Sequence, residues 1–244
     1  MTFCGRTLRF DQHTLVMGVV NVTPDSFSDG GLFFDPDRAV EHGLALAAQG
    51  ADILDVGGQS TRPFSDPVSE EEELARVLPV IKRLAAAGLD VPISIDTYVA
   101  TVAEKALDAG ASIINDITAL SGDPRMAAVA AERRVPVILM HMQGTPKTMQ
   151  VDPSYTDVVA EVRDFLARAM DRAVDAGISR DLLMVDPGLG FGKTVEHNMR
   201  LIKNVSALAG LGAPVVVGPS RKASIRKILQ DAGIEAGADP LSRE

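Results

Sequence analysis

Pro92-Ile93-Ser94-Ile95-Asp96-Thr97, then a helical pattern closing at Gly110, then Ile113-Ile114-Asn115-Asp116-Ile117, is the stretch that decides the fold. Each apolar run is short, rich in β-formers and nearly continuous, as a strand covered on both faces must be. A helix between two such strands makes them parallel neighbours joined by a right-handed crossover. The unit repeats in both directions. Further runs at Leu15–Val22, Ile53–Val56, Val135–Met140, Leu182–Val185 and Pro214–Gly218 bring the expected strands to seven. The expected class is α/β, a parallel barrel of the TIM type in a single domain over residues 1–244, with residues 3–13 forming a short hairpin ahead of the first barrel strand.

Helix ends are written into the chain. Asp35-Pro36 places an N-cap before a proline in the first turn. Ser69-Glu70-Glu71-Glu72 reads as a capping box, and the helix behind it buries Leu74, Val77, Leu78, Ile81 and Leu84 at helical spacing, with Pro79 expected to kink it. Gly50, Gly88, Gly110 and Gly177 stand where helices should stop.

The seven runs end alike. Asn21, Asp55, Asp96, Asn115 with Asp116, His141, Asp186 and Ser220 sit at or just after their carboxyl ends. In a parallel barrel those ends meet at one face, which holds the active site. A closed barrel needs eight strands, however. Asp239-Pro240 reads as one more helix start, so a helix, a strand and a final helix, roughly 30–40 residues, are expected to be missing beyond Glu244.

Composition narrows the function. A net charge of −9 argues against a duplex nucleic-acid binder, which needs Lys and Arg to displace counterions. A small anion needs only a local cluster of donors. The single cysteine, Cys4, makes no internal disulfide and reads as buried or incidental. No run has the length of a membrane helix and the first residues lack the apolar core of a signal peptide, which favours the cytoplasm.

Five segments carry chemistry. Asn21–Gly31 is dense in oxygen ligands and could hold a hard cation, though an Asx/Pro turn reads equally well. Asp55-Val56-Gly57-Gly58-Gln59-Ser60-Thr61-Arg62-Pro63 lets backbone approach a ligand, while Thr61 and Arg62 can donate to an anion. Strand alternation makes Asp96 and Asn115 the inward members of their pairs. In Asp186-Pro187-Gly188-Leu189-Gly190-Phe191-Gly192-Lys193 a flat heterocycle could stack on Phe191 while Asp186 accepts its N–H groups. The segment lacks the Gly-Lys-Ser/Thr ending of a triphosphate loop. Gly218-Pro219-Ser220-Arg221-Lys222 sets two cations beside the free amides of a helix start, an anion site. No His/Cys metal spacing is present, and His141 reads as structural.

In this order NVTPDSFSDGG, DVGGQSTRP, SIDT, IND, MHMQGTP, DPGLGFGK and PSRK resemble the signatures of the dihydropteroate synthase family, from position 21 to 222. The resemblance implies condensation of 6-hydroxymethyl-7,8-dihydropterin pyrophosphate with para-aminobenzoate. It implies Mg²⁺ bound by Asn21, with Asp96, Asn115 and Asp186 reading the pterin edge and Met140 and Phe191 lining its faces. Lys222 would lie between the two substrates, and Ser220 and Arg221 at the anion site. Phe27, Asp29, Thr61 and Arg62 would fold over the site. It further implies an SN1-like transfer with the pterin bound first, and a homodimer for the full-length protein.

Three departures from the family pattern stand out. Gln59 replaces a common Glu, Phe64 a usual Gly, and Ala223 a Ser that helps hold the aminobenzoate carboxylate; weaker sulfonamide binding is the expected consequence. The competing readings are a pterin-dependent methyltransferase barrel, which would lack the Asn21–Gly31 loop, and a pterin-binding remnant without catalysis.

Overall fold

The computed structural model describes residues 1–23, 35–60, 68–220 and 222–234. Strands β1 (Thr2–Phe3) and β2 (Arg6–Thr7) pair antiparallel, a shorter hairpin than residues 3–13 suggested. Its two turn residues, Cys4 and Gly5, have φ of 46° and 75°, the positive values that a tight two-residue hairpin turn requires. Cys4 is exposed rather than buried.

Six parallel strands follow: β3 (Met17–Asn21), β4 (Ile53–Gly57), β5 (Ile93–Asp96), β6 (Ile113–Asp116), β7 (Val137–Met140) and β8 (Leu183–Asp186). They form one sheet in chain order. The expected seventh strand is reduced to one bridge between Val185 and Val215. Val185 N–H donates to Pro214 O at 3.0 Å and Val216 N–H to Val185 O at 2.8 Å. Pro214 carries no N–H, so the ladder has no donor at the start of this run.

The helices alternate with the strands: α1 (Pro36–Ala48), α2 (Glu70–Ala86), α3 (Ala100–Asp108), α4 (Met126–Arg133), α5 (Val158–Asp175), α6 (Val195–Lys203), α7 (Val205–Ala209) and α8 (Ala223–Asp231). Asp35 caps α1 by accepting from Asp37 N–H at 2.9 Å, with Pro36 in the first turn. Ser69 caps α2 by accepting from Glu72 N–H at 3.2 Å. The return arm of the expected box is replaced by an ion pair from Glu72 to Arg76. Helix α2 runs through Pro79, which lies on its exposed side. Gly50, Gly88, Gly110 and Gly177 all follow helices with φ between +70° and +116°. Among the described residues no helix is long and apolar enough to cross a membrane.

The pleat sorts each strand into two faces. Val20, Leu54, Val56, Ile95, Ile114, Val137, Leu139, Leu183 and Val185 face the helices and form the main core. On the opposite, inner face Ile53, Ile113, Ile138 and Met184 gather with Phe3 and Leu8 of the hairpin segment. The hairpin thus plugs the end where the strands begin. Among the described residues the end where they finish has no such plug. Phe3, 4% exposed, is the plug's aromatic residue. Phe3→Ala is expected to cost about 2–4 kcal/mol in urea unfolding, as large-to-small changes in a buried cluster do; a loss under about 0.5 kcal/mol would mean the hairpin is not part of the core.

Candidate active site

Strand register gathers the expected residues into two adjacent rows, the second one inner-face step further along because Asn115 pairs with Ile138. Asn21 pairs with Gly57, Gly57 with Asp96, and Asp96 with Asn115, while Met140 pairs with Asp186. All of these lie on the inner face: Asn21, Gly57, Asn115, Met140 and Asp186 each stand an even number of residues from an inner-cluster residue of their strand, and Asp96 directly follows the helix-facing Ile95. Asp116 points the other way. Its carboxylate accepts from Thr118 N–H and Oγ1–H, both at 2.7 Å, and from Leu120 N–H at 3.1 Å, so it shapes a turn.

Beneath this ring of polar groups lies Asp55, 4% exposed. Its Oδ2 accepts from Asn115 Nδ2 at 3.0 Å. Its Oδ1 and the buried Ser94 Oγ lack a partner of full hydrogen-bond geometry. Gly57 makes room for Asp96, since a Cβ there would stand 3.3 Å from the Asp96 Cβ and Oδ2.

The loop after β8 supplies the opposite wall. Gly188 N–H donates to Asp186 Oδ1 at 2.6 Å, leaving Oδ2 for other donors. Gly188 has φ +65°, and a Cβ there would fall 2.0 Å from His141 O, so only glycine lets this loop lie on the loop after β7. Phe191, Met140, Ile117 and Met149 form a small apolar cluster at this end of the barrel, with Tyr98 and Met142 against it. Lys222, the N-cap residue of α8, places Nζ 4.5 Å from the Phe191 ring centroid, a cation–π contact. The arrangement is an apolar wall facing hydrogen-bonding groups, with a cation at its mouth. It suits a flat, nitrogen-rich ring.

Lys193 is an unforeseen member. Buried behind Phe191, its Nζ donates to Phe191 O at 2.8 Å and lies 2.9 Å from His141 Nδ1. Burial lowers its pKa to about 7, only partly opposed by Asp186. Burial and the Lys193 charge depress His141 to about 3, so the imidazole is neutral. The pair clamps the two loops together, in line with the structural reading of His141. A second polar chain runs behind the rim: Tyr98 O–H donates to Gln59 Oε1 at 2.9 Å, and Gln59 Nε2 to the buried Glu73 at 2.6 Å.

Among the other expected residues, Ser220 is exposed and makes no described hydrogen bond to the rim groups. Phe27, Asp29, Thr61, Arg62 and Arg221 lie outside the described residues, as does Phe64. The sequence marked Asp55 as a strand-end polar residue without giving it a role, and gave Ser94, Lys193 and Met149 none. Strand alternation carried the signal for Asp55, two residues before Gly57 on the same face. Lys193 and Met149 reach the site through loop geometry that no local pattern encodes.

The carboxylates are held uneasily. Burial pushes Asp96 well above the usual range, the charges of Asp55, Glu73 and Asp116 push the same way, and Lys222 pulls back. Burial also raises Asp55, against its contacts with Ser94 and Asn115. Asp186 is raised to about 6 by burial, opposed by the Gly188 N–H and by Lys222 and Lys193. An unfolded aspartate titrates near 3.9. The stability linked to Asp186 is therefore present below about pH 4 and is lost as pH rises through about 6. Asp186→Asn is expected to be more stable than the parent by roughly 1–2 kcal/mol at pH 7 and level with it at pH 4. Denaturant unfolding at both values checks this; an equal gap at both would contradict it.

Comparison with known proteins agrees with this geometry. Residues 17–242 match the family model described as "Pterin binding enzyme". The dihydropteroate synthase of Synechocystis sp. is 47% identical over 227 residues, 92% of this chain and 78% of that protein. A solved Xanthomonas albilineans dihydropteroate synthase with 4-aminobenzoic acid is 49% identical, with a TM-score of 0.86 over 93% of this chain and 80% of that one. The same organism's enzyme in complex with 7,8-dihydropteroate is 46% identical, with a TM-score of 0.80 over 90% of this chain and 77% of that one. The chain therefore belongs to the pterin-binding enzymes and, among them, to the dihydropteroate synthases.

Proposed function

We propose that the chain joins 6-hydroxymethyl-7,8-dihydropterin pyrophosphate to para-aminobenzoate, using the inner-face residues of its strand ends to hold the pterin. The observation that carries this reading is the gathering of Asp96, Asn115, Met140 and Asp186 on the inner face at the strand ends, with Phe191 in one apolar cluster with Met140 and Lys222 over the Phe191 ring. Related enzymes have been solved with 4-aminobenzoic acid and with 7,8-dihydropteroate, which are one substrate and the product of this reaction.

In this reading the C–O bond to pyrophosphate breaks and a C–N bond to the aniline nitrogen forms. The amine then gives up a proton. The aniline is neutral at pH 7, so no strong base is required. The difficult part is the departure of pyrophosphate, and cationic donors act on it by stabilising the charge that develops. The cation–π contact of Lys222 with Phe191 supports its reading as the cation between the pterin and the aminobenzoate. Asp186, with a pKa of about 6, is mostly ionised at neutral pH and accepts ring N–H groups through the oxygen that Gly188 leaves free. The electron-rich dihydropterin spreads positive charge from its methylene carbon, which favours an SN1-like path with the pterin bound first. Phe27, Asp29, Thr61, Arg62, Ser220 and Arg221 remain assigned to the aminobenzoate and anion ends.

Asn21 ends β3 level with Gly57 and offers one amide oxygen. Among the described residues no group of three or more His, Cys, Asp or Glu could hold a metal. So sparse a donor set fits a hard cation that keeps several waters and takes its other ligands from phosphate oxygens. Asn21 would thus hold Mg²⁺, which when bound with the diphosphate offsets its negative charge.

The chain incubated with both substrates and Mg²⁺ is expected to release pyrophosphate and dihydropteroate in equal amounts. Lys222→Ala should lower kcat/KM by about 10²–10³. Pterin binding without pyrophosphate release would instead favour a non-catalytic pterin-binding protein. Deuterium at the transferred methylene is expected to slow the reaction, and an isotope effect of unity would exclude the dissociative path.

A further inference from the structure

We propose that Asp55 is a specificity-determining positioning residue: it engages one Asn115 amide hydrogen and so locks the amide with its carbonyl oxygen turned to the ligand. The inference rests on the reading of Asn115 as a pterin contact. Asp55 itself is buried below the rim, so it acts through its neighbour.

An asparagine amide is nearly symmetric in shape but not in chemistry. Rotated by half a turn it exchanges an acceptor for two donors. At the rim, the unheld side chain could adapt to either kind of ring edge and would select for neither. Here the Asn115 nitrogen lies 3.0 Å from Asp55 Oδ2. An ionised carboxylate only accepts, so the nitrogen must be the atom that faces it. Oδ1 of Asn115 is thereby turned away from Asp55. The ring atom it meets must then carry an N–H, as a reduced or amide-type nitrogen does and a bare aromatic nitrogen does not.

The placement of Asp55 serves no evident structural end. It caps no helix and pairs with no cation among its described hydrogen bonds and ion pairs. Its second oxygen and the neighbouring Ser94 hydroxyl lack a partner of full hydrogen-bond geometry. A buried carboxylate with one good hydrogen bond is costly to fold around. Its one well-formed bond is to a residue on the rim. The side chain at position 57 would lie between Asp55 and the mouth, and it is glycine.

The test is a double-mutant cycle on the affinity for dihydropterin pyrophosphate, measured by calorimetry. Asp55→Leu keeps the volume and removes the acceptor, so binding should weaken about 10–100-fold. Asp55→Asn, which can still offer an oxygen, should fall between Asp55→Leu and the parent. Asn115→Ala should weaken binding to a similar degree, and Asp55→Leu added to it should cost less than about twofold more. Losses that multiply would show that Asp55 acts independently and overturn the proposal, as would unchanged affinity in Asp55→Leu. Parent-like affinity in Asn115→Ala would instead defeat the reading of Asn115 itself. If Asp55→Leu does not fold, the Asp55→Asn cycle decides by the same criterion of non-multiplying losses.

Discussion

The two-residue period of a β-strand is the constraint on which the rest depends. In each strand from β4 to β8 one set of side chains must face the helices and the other the interior of the sheet. The helix-facing set is apolar along the strand: Leu54 and Val56, Ile93 and Ile95, Val137 and Leu139, Leu183 and Val185. The inner set changes character with height. Within a strand the apolar inner residue comes first and the polar one above it, Ile113 below Asn115 and Met184 below Asp186. A helix on one side of the sheet and a hairpin plug at its lower end leave the upper level as the place where polar inner groups can meet a ligand.

That level is assembled at the expense of stability. Three inner carboxylates, Asp55, Asp96 and Asp186, are each raised by burial. The compensating cations, Lys193 and Lys222, are themselves tied to the Phe191 loop, one through backbone carbonyls and the other over the ring. Such crowding of like charge is characteristic of sites tuned for a ligand rather than for folding. A ring that brings several N–H donors would relieve it, which links the electrostatics of the slot to the chemistry of its occupant. The loops are fixed by contacts of a different kind. Gly188 passes so close to His141 O that no side chain fits, and Lys193 joins the same two segments from behind.

Much of this was legible in the sequence, for local reasons. The apolar runs, the Asp35 and Ser69 caps and the glycine stops depend on neighbours within a few residues. So does the inward orientation of Asp96 and Asn115, because alternation needs only the strand itself. The resemblance in motif order supplied the family. What the sequence did not reveal depends on distant partners. Glu72 turned to Arg76 instead of completing its capping box, and Glu73 went into the interior beside Gln59. Lys193 became a buried clamp, since its partner His141 is 52 residues away. The run Pro214–Gly218 has a strand's composition but only one bridge, and its first residue, Pro214, has no N–H for a ladder to use.

The geometry points to one slot for a flat ring, formed by side chains from separate strands. A crystal structure of the chain with 6-hydroxymethyl-7,8-dihydropterin pyrophosphate tests it most directly. The ring should lie between the Met140–Phe191 wall and the inner face of the strands, its N–H groups on Asp96, Asn115 and Asp186 and its diphosphate toward Asn21. A ring bound elsewhere, or those three side chains turned to separate surroundings in the complex, would contradict it.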